Sequence, residues 1–383
     1  MTQDLFALTE FFAGGGLARM GLGPAWTCLF ANDISEKKAR VYRANFPEHQ
    51  ELCVQDISEV QPGMISGRAT LAWASFPCQD LSLAGNGKGL HASRSGTFWP
   101  FWSLITALEG EGRGVPIVAL ENVGGLLTSN QGRDFAQLLT VLVESGYRPG
   151  AMLIDAAQFV PQSRPRLFII AVKHDLDLPE ELLCRPGARS PWHTPAISQA
   201  YERLPESIKR AWVWWDVPAP VMKVGSLRDV IEPEPRGVPW HSEAETARLL
   251  SLMSPLHIAK VRAAQASGEL HVGTVYKRTR VEAGVKAQRA EVRFDDVSGC
   301  LRTPVGGSSR QLVLIVDQGK VRSRLLSVRE AARLMGLPDS YRLPESYNEG
   351  YHVMGDAVAV PVVAWLERHL LRPLAHATMS IAL

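Results

Sequence analysis

The feature that most constrains the fold is a short apolar run, Leu71–Ala74, followed by a proline and a cysteine. Consecutive apolar residues are typical of a strand that is buried on both faces of a parallel sheet. Pro77 fixes its own φ and disfavours the helical region for the residue before it, so the chain must turn there. Cys78 is therefore predicted at the carboxyl end of a strand, where open α/β folds bind their ligands. A cysteine in that position is a candidate nucleophile, although most cysteines are simply small buried hydrophobic residues.

Apolar strands and helices alternate over the first 173 residues, which predicts an α/β domain with a doubly wound, mostly parallel sheet. The predicted strands cover residues 5–12, 26–31, 51–54, 71–74, 115–120, 151–155 and 167–172. The predicted helices cover residues 17–21, 35–45, 98–108 and 134–145. The alternation stops near residue 175, so we predict that a second lobe begins there.

Three consecutive glycines, at positions 14 to 16, end the first predicted strand. A strand, a glycine turn and a helix together expose backbone N–H groups to a ligand, although a plain tight turn has the same composition. Asp33 lies seventeen residues beyond Gly16, near the spacing at which nucleotide-binding folds place the acid that holds ribose hydroxyls. The two features together predict a cofactor that carries adenosine. Asp33 could instead be the N-cap of the helix that begins near residue 35.

Composition excludes several classes of protein. No apolar run is long enough for a membrane span, and the N-terminus lacks a basic segment followed by an apolar one. The cysteines are scattered and form no C-x-x-C pair, so we expect a reduced, cytoplasmic protein with no metal site and no membrane partner. They are Cys28, Cys53, Cys78, Cys184 and Cys300.

The net charge is only +2, but the charge is segregated. Between residues 277 and 333 there are 13 Lys and Arg against 6 Asp and Glu. This stretch, with short strands predicted over 272–280 and 290–294, is typical of a nucleic-acid contact face, although a solvated charged surface has the same composition. The candidate DNA contacts within it are Arg278, Arg280, Arg302 and Arg310. The tryptophans at 212, 214 and 215, which lie in a proline-rich segment before it, are predicted to be core residues.

Six short motifs lie within or next to these segments. In order, they are Phe12–Gly16, Pro77–Gln79, Glu121–Val123, Gln162–Arg166, Arg329–Asp339 and Gly355–Val358. In this set and this order the chain resembles the cytosine-5 DNA methyltransferase family, over roughly residues 1–173 and 297–371. Two positions depart from the family pattern: Leu17 stands where a further glycine is frequent, and Asp356 stands where asparagine is usual. Either departure could weaken cofactor binding, because the first alters packing at the glycine turn and the second adds a negative charge.

The resemblance implies S-adenosylmethionine as the cofactor and duplex DNA as the substrate. It also implies a catalytic and cofactor-binding domain over 1–173 and a smaller target-recognition lobe over 174–320. The chain is then expected to return to the catalytic domain over 321–383, with a closing helix over 358–371. The implied cofactor-binding residues are Phe12, Gly14, Gly16, Asp33, Ile34, Asp56, Ile57, Pro77, Thr97, Asp356, Ala357 and Val358. A base inside a duplex is inaccessible, so the target nucleotide must be flipped into the site. The resemblance implies that Gln79, Ser82 and Arg94 contact the substrate DNA and that Asn122 holds the turn before Cys78.

The chemistry asks for a nucleophile, because carbon 5 of cytosine is itself a poor one. A thiolate that adds to ring carbon 6 places electron density on carbon 5, and Cys78 fits that role. A positive neighbour favours the thiolate, and Arg164 is a candidate for it. Glu121 could protonate ring nitrogen 3 or hydrogen-bond to it, and the resemblance assigns the ring carbonyl to Arg166. The sequence does not identify the base that removes the carbon 5 proton.

The leading hypothesis is a DNA cytosine-5 methyltransferase of a restriction–modification system, with a cognate restriction endonuclease as a candidate partner. A second hypothesis keeps the chemistry but makes tRNA the substrate, because one branch of the family methylates tRNA. The size of the predicted lobe over 174–320 favours duplex DNA, since the tRNA branch carries a small one. A third hypothesis is a non-catalytic DNA-binding regulator, against which the presence of Cys78, Glu121 and Arg166 argues.

Overall fold

The computed structural model describes residues 6–48, 50–77, 96–185, 190–221, 225–282, 285–303 and 310–379. The predicted site residues Cys78, Gln79, Ser82 and Arg94 lie outside the described residues. The chain divides into two compact units. The first unit comprises Met1–Ile154, Pro165–Val221 and Val362–Leu383, and the second comprises Asp155–Arg164 and Met222–Pro361.

These boundaries differ from the predicted boundaries at residues 174 and 321. Residues 174–221 belong to the first unit, and residues 321–361 belong to the second. The tryptophan-rich segment explains the first difference. Trp215 is fully buried in the first unit and donates from its indole nitrogen to the Ile170 carbonyl at 3.3 Å. The prediction that these tryptophans are core residues is confirmed for Trp212 and Trp215, which are buried, whereas Trp214 is half-buried and packs against the core cluster that contains Trp212.

Seven strands form the sheet of the first unit. They are β1 Phe6–Phe11, β2 Trp26–Asp33, β3 Leu52–Val54, β4 Leu71–Ala74, β5 Ile117–Val123, β6 Tyr147–Asp155 and β7 Pro165–Lys173. The strand order is β3-β2-β1-β4-β5-β7-β6. Strands β3, β2, β1, β4 and β5 pair in parallel, and β7 runs antiparallel to β5. The predicted doubly wound, mostly parallel sheet is confirmed. The carboxyl ends of β1, β2, β4 and β5 share one edge of the sheet, which we call the carboxyl edge.

Helices of the first unit cover this sheet. They are α1 Leu17–Leu22, α2 Glu36–Asn45, α3 Phe98–Gly110, α4 Arg133–Glu144, α5 Pro195–Glu202 and α6 Glu206–Ala211. Short 3-10 turns lie at Ile57–Glu59, Pro62–Met64, Gly124–Leu127, Ser129–Gly132 and Glu180–Leu182, and a further one, Ala156–Gln158, lies in the second unit. Aromatic side chains of α3, among them Phe98 and Phe101, share a buried cluster with Phe11 and Leu120 of the sheet. Burying one such side chain contributes roughly 1.5–3 kcal/mol, so α3 is a major part of this core.

A second, antiparallel sheet forms the centre of the second unit. Its strands are β8 His271–Glu282, β9 Val285–Arg293, β10 Leu312–Asp317 and β11 Lys320–Leu325, in the order β11-β10-β8-β9. The helices of this unit are α7 Leu227–Val230, α8 Glu243–Ser251, α9 Pro255–Ser267, α10 Val328–Leu334 and α11 Tyr347–Asp356. One face of the sheet, which includes Val275 and Val292, packs on Leu249 of α8 and Val261 of α9. Because side chains alternate along a strand, Arg278 and Arg280 project from the opposite face.

The last helical segment continues beyond the predicted end at residue 371. It comprises α12 Val360–Leu366, a π-helical turn Glu367–Leu371 and α13 Arg372–Met379. In the first unit, the buried Glu367 accepts hydrogen bonds from the Trp26 indole at 3.0 Å and from Arg372 Nε at 2.7 Å. These bonds tie the segment to the start of β2. No helix within the described ranges is both long and apolar enough to cross a membrane.

Candidate active site

The glycine turn follows β1 at the carboxyl edge. Gly14 and Gly16 have φ of 58° and 79°, a region that side chains disfavour, and Phe12 shares it with φ of 58°. A Cβ placed on Gly16 would clash with the ring of Phe46, so packing also requires glycine there. A Cβ on Gly14 would meet no atom of the described residues within 4 Å. The backbone at Gly14 therefore borders open space, which is what close approach of a ligand requires.

Asp33 connects this turn to the end of β2. Its carboxylate is buried and accepts hydrogen bonds from the backbone N–H of Gly14 at 2.9 Å and of Ser35 at 2.8 Å. The N-cap of α2 is Ser35, whose side chain accepts from the Lys38 N–H. The alternative prediction, that Asp33 is the N-cap, is therefore wrong. Asp33 instead fixes the glycine turn and presents a carboxylate beside it.

Ile34 follows Asp33 in the chain, and Asp56 follows β3, the strand whose Val54 pairs with Asp33. Ile34 is 68% exposed, which is unusual for so large an apolar side chain at a strand end. Asp56 accepts from the Ser58 hydroxyl at 2.6 Å and from the Ser58 N–H at 2.8 Å, and these bonds hold the pKa of its carboxyl below the usual range. A fixed carboxylate, an exposed apolar side chain and an open glycine turn fit a group that carries adenosine. A carboxylate can accept hydrogen bonds from ribose hydroxyls, and an isoleucine side chain can pack against the adenine ring. The neighbouring Ile57 is buried and packs in the core.

Glu10, near the end of β1, is a buried carboxyl that the sequence analysis missed. It is 1% exposed and accepts from the Arg19 backbone N–H at 3.3 Å. Burial raises its pKa to about 8, an effect that Arg19 opposes and that the nearby Asp33 and Glu51 reinforce. The signal in the sequence was an acid within a strand that is otherwise apolar except for Thr9.

Glu121 and Arg166 meet where β5 and β7 pair. The antiparallel register places Arg166 opposite Val123, and Arg166 Nε lies 3.1 Å from Glu121 Oε1. Both side chains are largely buried. Asn122, the residue after Glu121, donates from Nδ2 to the carbonyl of Phe76 at 3.0 Å. Phe76 immediately precedes the exposed Pro77. The structure thus brings two of the predicted catalytic residues, Glu121 and Arg166, together at the strand end that leads into residue 78. The predicted cofactor residue Thr97 is half-buried and precedes α3.

Arg164 lies in the second unit, where it is almost fully buried. Its guanidinium donates to the carbonyl of Leu301 at 3.0 Å, of Gly355 at 2.8 Å and of Ala357. It also donates to the Cys300 sulfur at 3.4 Å. These bonds give Arg164 a structural role that holds the Gly355–Val358 motif in place. Its proposed effect on the Cys78 thiolate stays a prediction, since Cys78 lies outside the described residues.

The remaining predicted residues of the second unit are distributed over its surface and core. Asp356 is exposed and accepts a hydrogen bond from the Thr303 hydroxyl, whereas Val358 is buried. Arg302 is exposed, and Arg310 donates to the side chain of Asn348 at 2.5 Å. Among the described residues, no group of three or more His, Cys, Asp or Glu could hold a metal ion.

Replacing Asp33 with alanine should weaken the binding of S-adenosylmethionine at least tenfold, because the predicted charge-assisted contact to ribose would be lost. Stability should also fall by about 1–3 kcal/mol, since two backbone N–H groups lose their acceptor. The matched control is Ser35→Ala, which removes the N-cap at about 1 kcal/mol and should leave affinity unchanged. Calorimetric titration and melting curves measure both quantities. Wild-type affinity in Asp33→Ala would contradict the cofactor role.

Glu10 should make stability fall as pH rises. The folded protein keeps a proton on Glu10 up to about pH 8, whereas the unfolded chain loses it near the ordinary value of 4.5. The stability contributed by that proton is full below pH 4.5 and is lost as pH rises through 8. Glu10→Gln should therefore flatten the slope of unfolding free energy against pH between 5 and 9 in urea titrations. The exposed Glu59→Gln should keep the wild-type slope, and an unchanged slope in Glu10→Gln would refute the assignment.

Comparison with known proteins identifies the family. The model of the C-5 cytosine-specific DNA methylase family matches residues 6–372. Type II methyltransferase M.NlaX of Neisseria lactamica is 25% identical over 371 residues, covering 94% of this chain and 94% of the relative. Type II methyltransferase M.HpaII of Haemophilus parainfluenzae is 25% identical over 394 residues, covering 97% of this chain and 91% of the relative.

Two solved structures share the fold. Dnmt2 methyltransferase of S. pombe matches with a TM-score of 0.54 at 16% identity, over 99% of each chain. A DNMT2 mutant of Spodoptera frugiperda matches with a TM-score of 0.57 at 18% identity, over 96% of this chain and 99% of the other. Since the family model spans nearly the whole chain and the six motifs occur in order, the chain belongs to the C-5 cytosine-specific DNA methylase family and is a DNA cytosine-5 methyltransferase.

Proposed function

We propose that this protein methylates carbon 5 of a flipped cytosine in duplex DNA through a covalent bond to Cys78, as the modification enzyme of a type II restriction system. The Glu121–Arg166 ion pair, beside the strand end that precedes Cys78, is the observation that carries the proposal. The relatives reported above are named type II methyltransferases, which supports the restriction–modification role. A restriction endonuclease is the expected partner, and the cytoplasm the expected location.

The reaction begins with Cys78. Its thiolate forms a bond to ring carbon 6, and the carbon 5–carbon 6 double bond supplies an electron pair to carbon 5. S-adenosylmethionine, when bound, supplies an electrophilic methyl group on a sulfonium. After carbon 5 is methylated, a base removes its proton, the double bond re-forms and the Cys78 thiolate leaves.

Glu121 and Arg166 would stabilise the ring during the addition step. Addition increases the basicity of ring nitrogen 3, and a carboxylate that accepts a hydrogen bond from its N–H favours the protonated ring. Arg166 would donate to the ring carbonyl. The 3.1 Å contact between the two side chains fixes their relative orientation before substrate arrives. Preorganised charges of this kind need no rearrangement in the transition state.

The cofactor is proposed to bind at the carboxyl edge of the first unit. Phe12, Gly14 and Gly16 would supply the turn, Asp33 would accept from ribose hydroxyls, and Ile34 would contact the adenine; the bond from Gly14 to Asp33 and the exposure of Ile34 support these roles. The family resemblance assigns the same role to further residues, namely Asp56, Ile57, Pro77, Thr97, Asp356, Ala357 and Val358. The bond from Thr303 fixes the carboxylate of Asp356, which stands in place of the usual asparagine.

Two sets of residues are proposed to contact DNA. Gln79, Ser82 and Arg94 would enclose the flipped nucleotide. Arg278, Arg280, Arg302 and Arg310 of the second unit would contact the duplex, and this unit would read the sequence. The exposed positions of Arg278 and Arg280 on one sheet face support that role.

The covalent step gives the sharpest test. DNA in which 5-fluorodeoxycytidine replaces deoxycytidine should trap the wild-type enzyme, because fluorine cannot leave as a cation after methyl transfer. The expected product is a protein–DNA adduct that resists denaturant and requires S-adenosylmethionine. Cys78→Ser should form no adduct, since a serine hydroxyl is far less ionised and is a weaker nucleophile. Glu121→Gln should form the adduct roughly 100-fold more slowly, because it has lost the ionisable carboxyl.

Cys184→Ser is the matched control and should be trapped like the wild type, since Cys184 is remote in sequence from every motif. An adduct that persists in Cys78→Ser would refute the mechanism, as would active wild-type enzyme that is never trapped. Trapping on fluorinated tRNA but not on duplex DNA would keep Cys78 as the nucleophile and refute the substrate.

A further inference from the structure

The face of the second sheet that is turned away from α8 and α9 carries a row of side chains from β8 and β9. The register pairs Tyr276 with Glu291 and Arg278 with Arg289, so these four side chains share one face. The opposite face packs on α8 and α9. Within the row Tyr276 is half-buried, whereas Arg278 is exposed, as is Arg280 further along β8, and both arginines lie within the segment where positive charge is in excess.

Glu291 holds Arg280 in one orientation. Arg280 donates to Glu291 Oε1 from Nε at 2.8 Å and also from Nη2. The Arg280 side chain is 49% exposed and that of Glu291 only 23%, so the pair is anchored at the carboxylate. Nε and Nη2 form one edge of the guanidinium, and their use leaves the other edge, Nη1 with the second Nη2 hydrogen, for a ligand.

The neighbouring side chains extend this arrangement. Arg278 Nε lies 3.5 Å from Glu291 Oε2, and its guanidinium lies over the Tyr276 ring at 5.5 Å. Tyr276 in turn donates its hydroxyl to the Cys300 carbonyl. Glu291 thus contacts both Arg278 and Arg280. Its hydrogen bonds to Nε and Nη2 of Arg280 fix the orientation of that guanidinium.

From this geometry we infer that Arg280, oriented by Glu291, recognises a guanine through its N7 and O6 atoms in the major groove. A guanine presents two acceptors side by side, which match a fixed guanidinium edge and discriminate against the other bases. A phosphate contact needs only positive charge, which a mobile arginine or lysine supplies equally well. A carboxylate beside Arg280 would weaken a purely electrostatic phosphate contact. Glu291 is then a positioning residue for sequence specificity, which rests on the DNA substrate proposed above.

Arg322 on β11 offers a matched comparison. Arg322 projects from the same face of the sheet as Arg280. It pairs with Ile315 of β10, which pairs with Val272 of β8, and side chains at even-numbered positions of β8 share this face. Its guanidinium stacks on the Trp240 ring at 3.8 Å. A stacked arginine of this kind is suited to a phosphate or to a packing role. Arg322→Lys should therefore leave the recognised sequence unchanged.

The test uses the full-length protein expressed in cells that lack cytosine-5 methylation, followed by bisulfite sequencing of their DNA. Wild type defines the recognised sequence. Arg280→Lys retains the charge but loses the fork, so one guanine position should accept other bases, with discrimination reduced roughly 10- to 100-fold. Glu291→Gln should relax the same position. Relative kcat/KM on duplexes that differ only at that guanine, with purified variants of wild-type melting temperature, gives the fold-change.

Relaxation at one shared guanine in Arg280→Lys and Glu291→Gln, with an unchanged sequence in Arg322→Lys, would establish the inference. An unchanged sequence in Arg280→Lys would overturn it, including the case in which methylation falls equally at every site, as a phosphate contact predicts. Equal relaxation in Arg322→Lys would also overturn it. A wild-type protein that methylates no site would instead refute the proposed DNA substrate, and the inference with it.

Discussion

Buried polar side chains at the carboxyl edge must each find a hydrogen-bond partner, and this constraint shapes the site of the first unit. An unsatisfied buried group costs about 1–3 kcal/mol. Asn32 meets the requirement by donating to the carbonyls of Cys53 at 3.1 Å and Gln55 at 3.0 Å, which joins β2 to the end of β3. Asn122 bonds Phe76, and Asp33 bonds Gly14. Each bond that removes a penalty also fixes the chain that carries a proposed ligand or catalytic group.

In the second unit, buried arginines supply the hydrogen bonds that buried carbonyl and carboxylate groups require. Arg164 gathers carbonyl groups around the Gly355–Val358 motif, as described above. Arg324 and Glu330 form an ion pair that is fully buried, with an Arg324 Nη1 to Glu330 Oε2 distance of 2.8 Å. Glu330 also accepts from the backbone of Glu232 and Ser327 at 2.7 Å. Buried ion pairs contribute little net stability, but they penalise any arrangement that leaves one charge alone. These bonds join β11, α10 and the chain at residue 232 within this unit.

Much of the fold could be predicted from sequence because its signals are local. The apolar runs, the glycine turn and Pro77 each define a strand end without reference to distant residues, and the parallel sheet follows from their alternation. The long-range contacts could not be predicted. Ser35 rather than Asp33 caps α2, because Asp33 is engaged by Gly14, nineteen positions earlier. The pairing of Arg280 with Glu291 depends on the register of β8 with β9, which composition does not encode.

Transfer of labelled methyl groups tests the central claim, cytosine-5 methylation of DNA by Cys78, most directly. The protein is incubated with tritiated S-adenosylmethionine and either duplex DNA or tRNA, and the product is digested to nucleosides and separated. We predict label in 5-methyldeoxycytidine from duplex DNA, little label from tRNA, and none from either with Cys78→Ser. Label in 5-methylcytidine from tRNA alone, or label in DNA with Cys78→Ser, would contradict the claim. DNA binding without any label would indicate a non-catalytic regulator.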